Sequence, residues 1–263
     1  MNRIHKLFSK KKEGILSVYF TAGYPQLDAT AGIARALQEG GADIIEIGIP
    51  FSDPVADGPT IQASNKIALD NGMIVKLLLE QVKELRKDVT IPVILMGYLN
   101  PVMQYGIEKF VKDAGKAGVD GLILPDMPID VYQHEYKDIF DSAGLTNTFL
   151  ISPTTSEERI RRVDALTDGF IYAVSSSSTT GAKSDFTDSQ MAYFEKLKSM
   201  NLRNPFLIGF GISNQETFGT ASSFASGAIV GSAFINLLKD SKNLRADVIA
   251  FVKNIKGDVS VHA

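Results

Sequence analysis

Eight apolar runs of strand length recur along the chain, and amphipathic stretches separate them. The runs are apolar almost throughout, as is typical of strands that are buried on both faces of a parallel sheet. Between them, residues 29–40, 74–88 and 107–118 have helical periodicity, and the first and third of these stretches end in glycine, a common helix stop. The alternation predicts an α/β fold built on a parallel sheet. The eight runs are residues 15–20, 43–49, 92–98, 120–125, 147–152, 169–174, 205–210 and 227–232.

Eight strand–helix units favour closure into a (β/α)8 TIM barrel, which needs about 250 residues. The chain has 263 residues, and no linker rich in proline, glycine or serine divides it. We therefore predict a single TIM-barrel domain over residues 1–263. An open doubly wound sheet is the alternative arrangement of the same elements. Residues 4–12 are predicted to form an extra N-terminal helix that packs Ile4, Leu7 and Phe8 onto the barrel.

Composition and charge exclude several classes of function. Lys and Arg number 27 and Asp and Glu 30, which gives a net charge of −3 without a dense basic stripe, so we expect no nucleic-acid partner. The absence of cysteine removes disulfides, zinc thiolates and thiol nucleophiles. No apolar run is long enough to span a bilayer, and the N-terminal residues lack the apolar stretch of a signal peptide. We expect a soluble, cytoplasmic protein with no membrane partner.

Carboxylates are concentrated at the end of the second run. Glu46 lies inside the run, and Asp53 and Asp57 follow in a loop framed by proline and glycine. Residues just past the carboxyl ends of barrel strands face the active site, so Glu46 and Asp57 are predicted to share one mouth. Two acids in different surroundings can divide acid and base roles. The alternatives are a buried structural acid for Glu46 and a turn-capping residue for Asp57.

Glycines follow the last two runs in a pattern that suits an anion. Residues 209–214 read GFGISN, and residues 230–234 read VGSAF and are predicted to open a short helix. Glycine lets the backbone approach an anion, and the amides at a helix N-terminus point at it. Loops after strands seven and eight of TIM barrels often bind phosphate, so we predict a phosphate site here, with Gly181 as a third wall. Tight turns without a ligand are the alternative.

Several catalytic arrangements find no support in the sequence. The three histidines are His5, His134 and His262, and none follows a predicted strand. A Ser-His-Asp triad and a histidine-rich metal site are therefore not expected, and we predict no metal ligands. No lysine lies inside the eight runs, and no GxGxxG motif follows one, so a Schiff base and a nicotinamide cofactor also lack support. General acid–base catalysis by carboxylates remains.

Five motifs together resemble those of the tryptophan synthase alpha subunit family. The longest is EIGIPFSDPVADGPTIQ at residues 46–62. The resemblance extends over essentially the whole chain, and the motifs are long and specific. The other four are YFTAGYP at 19–25, YLNP at 98–101, GLILPDMP at 121–128 and GFGIS at 209–213.

The resemblance implies cleavage of indole-3-glycerol phosphate to indole and glyceraldehyde 3-phosphate, a retro-aldol step that needs neither a metal nor a Schiff base. Glu46 matches the family's catalytic glutamate, which assists protonation of the indole ring carbon and removal of the side-chain hydroxyl proton. Asp57 matches the catalytic aspartate, which accepts a hydrogen bond from the indole N–H and stabilises the developing indolenine cation. Tyr172 matches a tyrosine beside the glutamate.

Other positions match binding residues of the family. Thr180 and Gly181 correspond to the mobile loop after the sixth strand, which closes over the substrate and contacts the aspartate. The resemblance suggests that Tyr19, Ile123 and Phe210 wall the indole pocket, with plain barrel core as the alternative. The phosphate-binding positions would be Gly181, Gly211, Ile212, Gly231 and Ser232.

The family also implies a protein partner. This is a pyridoxal-phosphate beta subunit, which receives indole through a tunnel in an alpha2-beta2 tetramer. The loop with Asp53 and Pro54 and the loop around Asn100 and Pro101 would form the interface. The chain itself should need no cofactor, because pyridoxal phosphate is expected only in the beta partner.

One position departs from the family pattern. Ser178 stands where glycine is expected in the sixth loop, and serine restricts φ more than glycine, so loop closure or its coupling to a partner is expected to differ. This departure leaves open a barrel retained mainly as an allosteric activator of the beta subunit, although Glu46 and Asp57 are intact. A free-standing lyase that releases indole is a third hypothesis. An isomerase acting on another phosphosugar has no matching motif.

Overall fold

The computed structural model describes residues 2–54, 56–175 and 186–257. Within these residues, nine strands form one sheet in which every neighbouring pair is parallel. The strands are β1 (Ile15–Thr21), β2 (Ile44–Gly48), β3 (Val93–Met96), β4 (Gly121–Ile123), β5 (Thr146–Thr148), β6 (Leu150–Ile151), β7 (Ile171–Val174), β8 (Phe206–Gly209) and β9 (Gly227–Val230).

The order of the strands shows that the sheet curls into a barrel. It runs β5-β4-β3-β2-β1-β9-β8-β7-β6, so its two outermost strands are consecutive in the chain and only Phe149 separates them. The predicted (β/α)8 TIM barrel is therefore confirmed, and the open doubly wound sheet is not formed. The predicted fifth strand appears as two short strands, because the chain changes partner at Phe149. β5 pairs with β4, whereas β6 pairs with β7.

Helices surround the sheet and follow most of its strands. The predicted helix over 29–40 has those bounds, and the helix predicted over 107–118 ends one residue early, before Gly118 at φ 94°. In the described residues the helices are α1 (Arg3–Lys10), α2 (Ala29–Gly40), α3 (Pro59–Asp70), α4 (Val75–Leu85), α5 (Leu99–Tyr105), α6 (Ile107–Ala117), α7 (Ile129–Val131), a π-helical turn (Tyr132–Tyr136), α8 (Lys137–Ala143), α9 (Glu157–Leu166), α10 (Asp188–Ser199), α11 (Gln215–Phe224), α12 (Ser232–Asp240) and α13 (Leu244–Lys256).

Alternate strand residues separate two hydrophobic clusters. Residues such as Leu16 and Ile45 pack in the larger cluster between the sheet and the helices. Ile15, Ile44 and Ile94 belong to a smaller cluster inside the barrel. Successive side chains on a strand point to opposite faces. The residues two positions further along β1 and β2 therefore also face the interior.

Helix α1 covers the amino-terminal end of the barrel, as predicted. Ile4 is fully buried and Phe8 nearly so, whereas Leu7 is half-buried against the same interior cluster. The rings of Phe8 and Phe170 lie 5.8 Å apart. The Asn2 side chain fixes the helix by donating to the carbonyl oxygens of residues 120 and 144, at 2.7 and 2.8 Å. Because α1 covers this end, the predicted catalytic residues belong to the opposite mouth, at the carboxyl-terminal ends of the strands.

Among the described residues, no helix combines the length and the apolar character needed to cross a bilayer.

Candidate active site

Glu46 is a fully buried acid on the inner wall of the barrel. It lies in β2, and its exposed fraction is 0%. Ser17 Oγ donates to Glu46 Oε1 at 2.6 Å, whereas Oε2 has no hydrogen-bond partner among the described residues. Burial raises the pKa of Glu46 to about 7, although the bond from Ser17 opposes the shift. At neutral pH the carboxyl group is therefore present in both forms and can give or accept a proton.

Asp57 lies in the loop between β2 and α3. Its backbone N–H donates to Pro54 O at 3.2 Å, and its carbonyl accepts from Gln62 Nε2 at 2.8 Å, so the loop is held from both sides. The residue is half-buried. Burial raises the pKa of Asp57 to about 6, and the neighbouring Tyr98 hydroxyl lowers it in part. Asp57 is consequently more acidic than Glu46 and is mainly ionised at neutral pH.

Tyr98 is a site residue that the sequence analysis did not assign. It follows β3 and accepts a hydrogen bond from the Ala56 N–H at 3.0 Å, which fixes the loop next to Asp57. Its ring lies 5.3 Å from that of Phe51. Burial, followed by the charge of Asp57, raises the pKa of Tyr98 to about 12, so the phenol stays protonated. The signal in the sequence was the tyrosine that opens YLNP and ends the third predicted run.

The two predicted acids lie within electrostatic reach of the same tyrosines. Tyr19 is aligned with Glu46 in the pairing of β1 with β2. The pKa of Tyr172, which is buried in β7, is raised first by burial and then by the charges of Glu46 and Asp57. Glu46, Asp57, Tyr19 and Tyr172 therefore belong to one mouth of the barrel.

Two glycines at strand ends make room for these tyrosines. A Cβ atom added to Gly48 would lie 2.2 Å from Tyr19 Oη, and one added to Gly209 would lie 2.4 Å from Tyr172 Oη. Such distances exclude any side chain unless the tyrosine moves. Each phenol therefore lies over the last residue of the neighbouring strand. Both rings therefore lie at the carboxyl-terminal mouth.

The loop after β8 has an unusual backbone conformation. Phe210 and Gly211 have φ angles of 70° and 76°, in the left-handed region that a residue other than glycine rarely adopts. Ser175 Oγ donates to Phe210 O at 2.9 Å and helps hold this conformation. The Phe210 ring is 39% exposed and meets Tyr172 edge-on, with 6.3 Å between ring centroids. By contrast, Ile212 is buried.

The loop after β9 leads directly into a helix. Gly231 precedes α12, which begins at Ser232 and has nine residues. The first N–H groups of a helix have no partner within it and carry partial positive charge. A Cβ at Gly231 would lie 3.6 Å from Tyr19 Cδ1, so the ring of Tyr19 joins this loop to the Glu46 side of the mouth.

Not all of the remaining predicted positions lie among the described residues. Ile123, the last residue of β4, is fully buried and belongs to the same interior cluster as Tyr172. Thr180, Gly181 and the unusual Ser178 lie outside the described residues. Within the part of the chain that the structure describes, no group of three or more His, Cys, Asp or Glu residues could hold a metal ion.

Comparison with known proteins agrees with this geometry. A profile of the tryptophan synthase alpha chain family matches residues 5–261. The tryptophan synthase alpha chain of Flavobacterium psychrophilum is 53% identical over 255 residues, which are 97% of this chain and 100% of the relative. That of Parabacteroides distasonis is 58% identical over 239 residues, 91% of this chain and 93% of the relative.

The chain belongs to the tryptophan synthase alpha chain family. The family predicted from the five motifs is thereby confirmed. Tryptophan synthase alpha structures are also similar in fold. The subunit from Legionella pneumophila superposes with a TM-score of 0.88 at 36% identity, covering 97% of both chains. A chain of the tryptophan synthase complex from Pyrococcus furiosus gives 0.83 at 33% identity, covering 93% of this chain and 98% of that one.

Proposed function

We propose that Glu46 and Asp57 carry out the lyase reaction of the tryptophan synthase alpha family, cleavage of indole-3-glycerol phosphate to indole and glyceraldehyde 3-phosphate. The observation that carries the proposal is the position of two carboxyl groups of unequal acidity at one mouth. The pKa of Glu46 is raised to about 7 and that of Asp57 to about 6. Surroundings that make the pKa values of two carboxyl groups differ in this way assign the two groups different roles.

The shape of the mouth supports one orientation of the substrate. The rings of Tyr19 and Tyr172 suit the flat indole ring, and the exposed edge of Phe210 can close one side of it. The phosphate would bind at the two glycine loops, where the first amides of α12 meet the anion. Its contacts would come from Gly211, Ile212, Gly231 and Ser232.

In this orientation Glu46 and Asp57 act on different parts of the substrate. Glu46 in its acid form supplies a proton to the ring carbon that bears the side chain, and Asp57 stabilises the positive charge that develops at the ring nitrogen. The bond between the ring carbon and the side chain then breaks, and its electron pair returns to the ring. The adjacent hydroxyl group gives its proton to the Glu46 carboxylate, which the first transfer left ionised, and its carbon becomes the aldehyde carbon. A carboxyl group with a pKa near 7 suits both proton transfers.

We further propose that the chain works with a pyridoxal-phosphate beta subunit as an alpha2-beta2 tetramer in the cytoplasm. The resemblance of the chain to the P. furiosus complex supports a partner. Asp53 and Asn100 are exposed beside the mouth, and Met103 of the adjoining α5 is 59% exposed. No cofactor takes part in the cleavage step itself.

Steady-state indole release distinguishes the candidate functions. The purified chain is assayed with indole-3-glycerol phosphate, alone and with a beta subunit from the same organism. Strong activation by the partner supports the proposed lyase subunit. Fast turnover without the partner would favour a free-standing lyase. Negligible turnover under both conditions would favour a barrel that serves only as an activator, and would reject the proposal.

Substitution of the acids tests their assignment. Glu46→Gln and Asp57→Asn should each fold normally and lose indole release by about 100-fold or more, the usual scale for a general acid or base. Glu80→Gln is the matched control, because Glu80 is exposed on the outer helix α4. Circular dichroism checks folding. Near-normal release by both variants would remove Glu46 and Asp57 from the mechanism.

A further inference from the structure

Ser17 is a buried hydroxyl group among apolar neighbours inside the barrel. Its exposed fraction is 0%, and the residues aligned with it on the adjacent strands are Ile44 in β2 and Ile229 in β9. A hydroxyl group costs free energy when it is buried without a hydrogen bond. In the described structure Ser17 Oγ has one partner, Glu46 Oε1, to which it donates at 2.6 Å. Packing alone does not require a polar side chain here, and the hydroxyl group is explained by Glu46.

The bond distinguishes the two oxygens of the Glu46 carboxyl group. Ser17 precedes Tyr19 by two residues on β1, and Tyr19 is aligned with Glu46, so the donor lies one layer closer to the amino-terminal end of the barrel. The bond therefore holds Oε1 towards that end. Oε2 is buried and has no hydrogen-bond partner among the described residues. A buried polar atom without a partner is uncommon in folded proteins and often marks a reactive group.

We propose that Ser17 is a positioning residue whose hydroxyl group holds Oε1 of Glu46 by a hydrogen bond and leaves Oε2 as the oxygen that exchanges protons with the substrate. A hydrogen bond to the ionised carboxylate also stabilises that form, so the same hydroxyl group makes Glu46 a stronger acid than burial alone would allow. The inference rests on the proposed function for its role in catalysis. The bond itself is a property of the free protein and is measured without substrate.

The other groups near Glu46 leave this task to Ser17. The titratable side chains of the same mouth are Tyr19 from β1, Tyr172 from β7 and Asp57 from the loop after β2. Both tyrosines stay protonated at neutral pH, because burial raises their pKa values. Ser17 is the one described side chain that counters the effect of burial on the pKa of Glu46. Loss of its hydroxyl group should therefore not be compensated by a donor already in place.

Ser17→Val and Ser17→Thr test the inference as a matched pair, because the two side chains have nearly the same shape and differ in one hydroxyl group. Ser17→Ala removes the hydroxyl group without adding atoms. In the Val and Ala variants the ionised carboxylate loses its donor, and the pKa of Glu46 should rise by about one unit, the scale of one charge-assisted hydrogen bond. In Ser17→Thr the pKa should stay near the wild-type value.

Carbon-13 NMR titration of labelled glutamate, assigned with Glu46→Gln, measures the pKa of Glu46 in the substrate-free protein. Thr167→Val is the control, because the buried Thr167 hydroxyl group has no hydrogen-bond partner in the described structure. This variant loses a buried hydroxyl group without removing a donor from Glu46, and its titration should match that of the wild type.

The profile of kcat/KM against pH separates positioning from packing. The proposed reaction uses the ionised form of Asp57 and the acid form of Glu46, so Asp57 governs the acid limb and Glu46 the alkaline limb. In Ser17→Ala and Ser17→Val the alkaline limb should move up by about one pH unit, while the acid limb stays in place. We expect kcat for indole release to fall about tenfold, because Glu46 is then a weaker acid and is held less firmly. KM should change little, because the buried Ser17 does not reach the substrate.

The possible results separate this inference from the proposed function. An unchanged Glu46 titration in Ser17→Ala, a loss confined to KM, or a Ser17→Thr variant that behaves like Ser17→Val would overturn the inference, while wild-type cleavage leaves the proposed function intact. Absence of wild-type cleavage would reject the proposed function, and the NMR titration would still decide the hydrogen bond.

Discussion

Glu46 and Asp57 differ in their surroundings, and that difference determines what each can do. Glu46 is enclosed by the barrel wall and has one hydroxyl donor from Ser17. Asp57 lies in a loop, is only half-buried and is close to Tyr98. Desolvation is the main cause of the raised pKa in both cases.

The buried Glu46 should reduce the stability of the folded protein at high pH. Its pKa rises from an ordinary value of 4.5 to about 7 on folding, so the folded state binds more protons than the unfolded state between these values. The free energy of unfolding consequently falls as the pH rises through this window. Glu46→Gln cannot ionise and should be more stable than the wild type at pH 8 by about 3 kcal/mol. The gain should disappear at about pH 4, where both states of the wild type are protonated.

Urea denaturation of the wild type and Glu46→Gln at several pH values measures this difference. Glu80→Gln again serves as the control, because its carboxyl group is exposed on α4. A constant difference between Glu46→Gln and the wild type from pH 4 to pH 8 would show that ionisation of Glu46 does not limit stability.

The sequence revealed the two acids but not their neighbours. A charge inside an apolar run is unusual enough to identify Glu46, and the loop motif identifies Asp57. The placement of Tyr19 depends on its alignment with β2 and on the space left by Gly48. Contacts of this kind arise between strands that are distant in the chain, so a local pattern does not contain them.

At the scale of elements, the sequence predicted the middle of each helix and strand better than the residues at which it ends. Residues 74–88 were expected to form a helix, whereas α4 ends at Leu85. The Arg86 side chain donates to the carbonyl oxygens of Gly118, Val89 and Ile91. Extension of α4 past Leu85 would compete with these hydrogen bonds, of which the one to Gly118 reaches a distant loop. The split of the fifth strand at Phe149 has a similar origin, because the two halves pair with different strands.

The loop after β8 should control binding of the phosphate end. Gly211→Val places a branched side chain at a φ of 76° and crowds the proposed anion site. We expect KM for indole-3-glycerol phosphate to rise about tenfold or more, with a smaller change in kcat, as one charge-assisted contact is lost. Gly219→Val is the control, because a Cβ there meets nothing within 4 Å. An unchanged KM would make the loop a plain turn.

Helix α1 should contribute to stability and not to catalysis. Ile4 is fully buried, and its methyl groups lie 3.1 Å from where a Cβ atom would be if Gly121 or Gly169 carried a side chain. Ile4→Ala should lower the free energy of unfolding by about 2–5 kcal/mol through the cavity that it leaves. Lys6→Ala, on the exposed side of the same helix, should change it little. Denaturation together with indole release tests both points, and a fall in kcat/KM of the folded Ile4 variant would contradict this separation.

At the scale of the whole molecule, the barrel separates its stabilising polar contacts from its proposed chemistry. Asp120 is buried at the amino-terminal end and accepts from Arg3 at 3.0 Å, from the Val93 N–H at 2.9 Å and from Arg86. These bonds join α1, α4 and the start of β3. The predicted acids lie at the other end, where loops can vary without disturbing the sheet.

The sequence favoured closure of the barrel but could not establish it. Eight apolar runs are also compatible with an open sheet, because closure depends on pairing between residues that are far apart in the chain. In the structure the outermost strands, β5 and β6, are consecutive in the chain, so the sheet closes and Tyr172 of β7 reaches the mouth where β2 and its loop place Glu46 and Asp57.

A crystal structure of Asp57→Asn with indole-3-glycerol phosphate bound tests the central claim most directly. The variant should bind the substrate and turn it over slowly enough to be trapped. We predict that the indole ring lies on Tyr19 and Tyr172, with Glu46 near the ring carbon that bears the side chain and residue 57 near the ring nitrogen. The phosphate should contact the amides after Gly231. A ligand bound elsewhere, or one too far from Glu46 to exchange a proton with it, would contradict the account.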